Sequence, residues 1–217
     1  MVTPDPAVTP LTALRRIARS SPSPAESERC DFCAAGIESA HPHVVDLQSR
    51  ALLCACRPCH LLFTDERANL RYRAVPQRHL SLPGSAVGDD VWDALQIPVG
   101  LVFLFRSSVQ NRMVACYPGP AGATESELPL PAWDRMVAHT PRLGLLRPDV
   151  EALLVRRVRG ADTTCHLVPI DACYELVGRL RTGWRGFDGG REAHDAMDRF
   201  FARLQALSRP APPVGAP

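Results

Sequence analysis

The chain has no lysine: all 25 of its basic residues are arginine. That excludes chemistry through a lysine Schiff base, and a phosphate-binding loop of the type that needs a lysine. Charge imbalance is also missing. With 23 acidic residues the net charge is +2, too small to point to a nucleic-acid or membrane partner, so nucleic acid is not an expected ligand. Long apolar runs are missing too. The longest, Ala94 to Phe105, is broken by Pro98 and Gly100 and falls short of the ~20 residues a membrane helix needs. Residues 1–25 show no secretory pattern, because Asp5 and several prolines interrupt their apolar residues. The expected compartment is therefore a reducing cytoplasm, where clustered cysteines favour metal over disulfides.

Cysteine is abundant, and it is clustered. Of eight cysteines, five lie in residues 30–60: Cys30, Cys33, Cys54, Cys56 and Cys59. Three of the seven histidines lie there as well: His41, His43 and His60. Cys30/Cys33 and Cys56/Cys59 are two Cys-x-x-Cys pairs with 22 residues between them. Zn²⁺ takes four thiolate or imidazole ligands tetrahedrally, so two such pairs can close one loop around one ion. Cys30, Cys33, Cys56 and Cys59 are accordingly the expected metal ligands, with zinc the expected metal and iron or an iron–sulfur cluster the alternative.

Between the pairs, residues 43–47 and 50–54 read as two strands joined by a two-residue loop, Gln48-Ser49. From Cys56 onward, Leu61, Leu62, Phe63, Ala68 and Leu70 are spaced as on a helix. A knuckle, a hairpin and a helix that opens on the second ligand pair is the order of a treble-clef zinc module. Cys54, His41 and His43 are then spare donors. Cys54 could replace a paired cysteine, a histidine could do so, or a second site could exist. His60 is expected to pack or to make a hydrogen bond behind the ligands.

At 217 residues the chain is long enough for one medium domain or two small ones. The expected organisation is a disordered leader over residues 1–29, a metal-binding module over 30–75, a linker over 76–90, an α+β domain over 91–208 and a disordered tail over 209–217. The leader contains a short amphipathic stretch at residues 11–19, too short to be a stable helix alone. In the large domain, strands are expected at 99–106, 112–117, 150–158 and 164–170. Helices are expected at 131–139, from Asp171 to Leu180, and at 191–207. The order strand-strand-helix, strand-strand-helix, helix predicts an antiparallel sheet with helices on one face. Pro118 to Leu130 reads as a strand-to-helix loop, and Trp184 and Phe187 as aromatics tucked against the domain edge. Cys116, Cys165 and Cys173 read as small core residues.

Several segments carry a resemblance: CDFC at 30–33, HPH at 41–43, CACRPC at 54–59, IPVGL from Ile97, YPGPAGATES from Tyr117, PDVEALL from Pro148 and LVPIDACYELVG from Leu167. Together they resemble an uncharacterised, mainly actinobacterial family whose genes often neighbour those of nickel–iron hydrogenases. That resemblance implies an accessory role in making, tethering or wiring such a hydrogenase, with a hydrogenase subunit or maturation factor as partner. With the metal module as a structural clip, the expected function is that of a non-catalytic, metal-binding accessory or adaptor protein. Residues 30–60 also resemble the zinc modules of HNH nucleases, although no Asp-His pair opens the hairpin and Asp65 and Glu66 stand where a basic face would meet phosphates. The paired cysteines are similar as well to those of rubredoxin-like electron carriers, but Ala34 and His60 stand where those proteins favour glycine.

Overall fold

A computed structural model of the chain describes residues 28–65, 70–95, 100–119, 121–158, 162–186 and 189–214. The leader through residue 27, and with it the stretch at 11–19, lies outside the described residues, as do Glu66, Ala68 and Phe187.

The larger part is a seven-stranded sheet. In chain order its strands are β4 (Leu80–Leu82), β5 (Leu101–Ser107), β6 (Arg112–Gly119), β7 (Gly122–Leu128), β8 (Glu151–Arg156), β9 (Thr164–Pro169) and β10 (Arg209–Pro210). Across the sheet they run β10-β4-β9-β8-β5-β6-β7. Every pairing is antiparallel except β10 with β4. Four helices flank it: α2 (Asp89–Leu95), α3 (Leu130–His139), α4 (Ile170–Gly183) and α5 (Gly190–Leu207). The fold is thus α+β, as expected.

Helices cover both faces, not one. Strands β5 and β8 carry continuous apolar runs, Leu101 to Phe105 and Ala152 to Val155, and successive side chains point to opposite faces, so both faces need cover. Leu101, Phe103 and Phe105 pack with Leu154 under α4 and α5. Val102 and Leu104 pack with Leu153 and Val155 against Trp92 of α2 and Trp133 of α3.

Two further differences concern polar segments. Residues 122–128, expected as loop, form β7, which pairs with β6 along its whole length. Its sequence GATESEL has little of the β-branched and aromatic character of strands, but an edge strand tolerates charge and exposure. The expected linker at 76–90 contains β4, and the expected tail begins with β10, whose pairing leaves Ala211 buried. Pro210 fits an edge strand because it has no N–H to leave unpaired.

The N-terminal part carries a second sheet, ordered β2-β1-β3, from β1 (His43–Asp46), β2 (Ala51–Cys54) and β3 (Tyr72–Ala74). The β1–β2 loop has four residues, not two. Asp46 pairs with Ala51, and Arg50 closes the loop at φ 58° by donating its N–H to the Asp46 carbonyl at 2.8 Å. The helix after Cys56, α1 (Arg57–Leu61), has five residues, and the chain then returns as β3 rather than continuing helical. Tyr72-Arg73-Ala74 gains three cross-strand partners on β1, which local helical spacing could not foresee. This part packs onto the large sheet: Val45 and Val75 are buried in the same core as Phe105 and α4.

Candidate metal centre

Local backbone geometry brings the two cysteine pairs together. In the first pair, the Cys30 N–H donates to the Ala35 carbonyl at 2.8 Å and the Ala34 N–H to the Cys30 carbonyl at 2.9 Å. The turn places Ala34 at φ 58°, a conformation better suited to glycine. Asp31 ties the turn to the end of β2. Its N–H donates to the Cys54 carbonyl at 2.9 Å, and its carboxylate accepts the Cys54 N–H at 2.6 Å. Two residues on, Cys56 precedes α1, and Pro58 sits in the first turn, where no N–H is missed. One helical turn then sets Cys59 beside Cys56.

As a result, the ligand atoms of Cys30, Cys33, Cys56 and Cys59 all lie within 4.8 Å of one another, close enough to hold a metal ion. The Cys33 and Cys56 sulfurs are 3.6 Å apart. Four sulfurs bound tetrahedrally at about 2.3 Å would be about 3.8 Å apart. Burial pushes the Cys30 thiol up, but hydrogen bonds from the backbone of Cys56, Phe32 and Cys33 outweigh it and bring the pKa down to about 6. Contact with the Cys56 sulfur, aided by burial, drives Cys59 up to about 12. Crowded thiols resist joint ionisation, and a cation among them reverses that preference.

Behind the cluster, Phe32, Phe63 and Tyr72 form an aromatic trio with centroids 4.9–5.5 Å apart. Buried His60 donates from Nε2 to the Val75 carbonyl at 3.0 Å, which joins α1 to the end of β3.

The spare donors also converge, on one another. His41, His43 and Cys54 form a second group whose ligand atoms lie within 4.8 Å of one another. Burial first, then the charges of Asp31 and Glu28, push the Cys54 thiol above its ordinary value. One residue of this neighbourhood escaped the sequence reasoning as a site residue. Asp171, in the first turn of α4, accepts from His43 Nδ1 at 2.9 Å across 128 positions. A lone acidic residue near a helix start signals only capping, so nothing local could have linked it to His43.

The remaining cysteines stand apart from both groups. Cys116, Cys165 and Cys173 are buried, and burial pushes Cys116 and Cys165 up to about 12. Trp184 is tucked into the core, donating from Nε1 to the Gly186 carbonyl. Among the described residues, no helix is long and apolar enough to cross a membrane.

No curated protein matches the chain, and no solved structure does. A family model does match, over residues 29–208, a span that takes in both cysteine pairs and all the strands of the large sheet except the last. The chain belongs to that family, described as a family of unknown function (DUF5947).

Proposed function

We propose that the protein is a non-catalytic, zinc-binding accessory or adaptor protein of the cytoplasm. In this reading Cys30, Cys33, Cys56 and Cys59 hold one structural zinc in a treble-clef-like module, with the sheet domain as its platform. The observation that carries the reading is the mutual approach of four cysteine ligand atoms within 4.8 Å, from two chain positions far apart in sequence. A set of four protein ligands is a closed shell, which suits a structural role.

A protein partner is supported by the surface beside the cluster. Leu61 and Leu62, immediately after Cys59-His60, are 52% and 70% exposed. Large apolar side chains grouped at a surface serve recognition more often than stability. The family resemblance directs the search to a hydrogenase subunit or maturation factor.

Elemental analysis of the purified full chain, with its visible spectrum, tests the metal. Zinc in a colourless protein, with one ion per chain fewer in Cys59→Ser, is the expected result. Iron with thiolate charge-transfer colour would replace this reading with that of a rubredoxin-like or iron–sulfur electron carrier. Metal-dependent nicking of plasmid DNA, lost in His43→Ala, would replace it with a nuclease.

A further inference from the structure

We propose that His41, His43 and Cys54 form a second metal site, distinct from the four-cysteine cluster and open towards a cleft. The site takes a divalent first-row transition ion of borderline softness, such as Zn²⁺ or Co²⁺. Water or a small anion from the cleft fills the fourth position.

Strand register builds the site. His43 and Cys54 are directly opposed partners of the β1–β2 pair, so their side chains lie on one face. His41 precedes His43 by two residues, and the two rings lie 4.8 Å apart between centroids. The three donors thus gather within 4.8 Å before any ion is considered.

Hydrogen bonding fixes which ring nitrogens are free. His41 Nδ1 lies 2.8 Å from the Glu38 carbonyl, which can only accept, so Nδ1 carries the proton. His43 Nδ1 donates likewise to the Asp171 carboxylate. Each Nε2 is left with a lone pair. The His41 side chain is only 7% exposed, and its Nε2 is buried without a hydrogen-bond partner. An ion supplies the partner that atom lacks. A carbonyl and a carboxylate behind ligating imidazoles are also the arrangement that orients histidines at metal centres.

Three protein ligands leave a position open, as at catalytic zinc sites. Both histidines and Asp171 line a cleft of about 780 Å³, large enough to bring a small ligand to that position. The inference does not depend on the four-cysteine reading, and ion counting separates the two.

The test uses the full chain, loaded with Zn²⁺ and freed of excess by gel filtration. Two ions per chain are expected in the wild type and one in His41→Ala or Cys54→Ser, each checked for folding by circular dichroism. Cys59→Ser addresses the other cluster. Co²⁺ added to one-zinc protein should give a thiolate-to-Co²⁺ charge-transfer band that Cys54→Ser abolishes. Asp171→Asn, which removes no ligand, should weaken Co²⁺ binding about 10- to 100-fold. Azide should shift the Co²⁺ spectrum if the fourth position is open. A wild-type ion count that His41→Ala and Cys54→Ser leave unchanged would overturn the proposal, as would a Co²⁺ spectrum indifferent to Cys54→Ser. An azide-insensitive spectrum would overturn the open position.

Discussion

Strand β8 of the large sheet buries five of its six residues, whereas β2, in the small sheet, fully buries none of its four. The large sheet has an apolar core on each face. The N-terminal part contributes Val45 and Val75 to one of those cores, packs Leu47 and Leu52 against it, adds the aromatic trio, and for the rest relies on polar links and cysteines. These include Asp46 with Arg71, Arg73 with Asp149, and the turn around Asp31. A region with so little apolar burial needs another source of stability, and in small modules a metal ion commonly supplies it. The difference between the two regions is therefore a difference in what each loses when one component is removed.

The largest effect expected is loss of the metal. Structural zinc contributes about 10–16 kcal/mol to folding in isolated zinc peptides. Cys33→Ser, or chelation of the wild type, should expose residues 28–75 to protease while the seven-stranded sheet persists. The sheet would still lose the cover of Val45 and Val75, worth about 1.5–3 kcal/mol each. Mass spectrometry of the protected fragment, with the thermal midpoint of what remains, checks this. Unfolding of the whole chain in one step would show that the two regions are a single cooperative unit.

The seam between the regions can be tested separately. Arg78, in the segment expected as a linker, donates to both Glu151 oxygens at 2.6 and 2.8 Å, and to the Leu145 carbonyl at 2.7 Å. Glu151 has no exposed surface. Arg78→Met would leave a buried carboxylate without its guanidinium, at a cost of about 3–5 kcal/mol. Urea unfolding should show that loss in the sheet while metal content stays at the wild-type level.

These regions also differ in how far the sequence revealed them. Continuous apolar runs marked β5 and β8, because a strand buried on both faces needs no partner to be recognised. Cysteine spacing marked Cys30, Cys33, Cys56 and Cys59, because ligand pairs must be close in sequence to share an ion. What stayed hidden depends on distant neighbours. GATESEL is a strand only because β6 offers it an edge, and Tyr72-Arg73-Ala74 only because β1 does. Arg78 and Asp171 act through partners 73 and 128 positions away. The helix expected beyond Cys59 failed for the same reason, since local spacing gave way to pairing with β1.

Acid should separate the regions further, by a smaller amount. Arg71 grips Asp46 with two hydrogen bonds and, against the opposing effect of burial, holds its carboxyl well below the usual carboxylate range. The unfolded chain would bind a proton there near pH 4, before the folded chain does. The contribution of Asp46 is therefore fully present above about pH 5 and declines as pH falls towards its folded value. Thiolates also release metal in acid, so the useful reading is a difference between proteins with equal metal content. The urea midpoint of wild type should fall more steeply between pH 5 and pH 3 than that of Asp46→Asn. Parallel slopes would mean that β1 and β3 do not depend on this pair.

The smallest effect should run the other way. Ala34 sits at φ 58° in the turn that carries Cys30 and Cys33. A Cβ in that conformation costs about 1–2 kcal/mol, and glycine removes the strain. Glycine also loses more chain entropy on folding, about 0.5–1 kcal/mol. Ala34→Gly should therefore stabilise the metal-binding part by about 0.5–1 kcal/mol and leave the sheet unchanged. Protease resistance of residues 28–75 in limiting chelator reads that gain, because both variants then compete with the chelator from different starting stabilities. A loss of resistance would mean that the alanine methyl makes a contact worth more than the strain it carries.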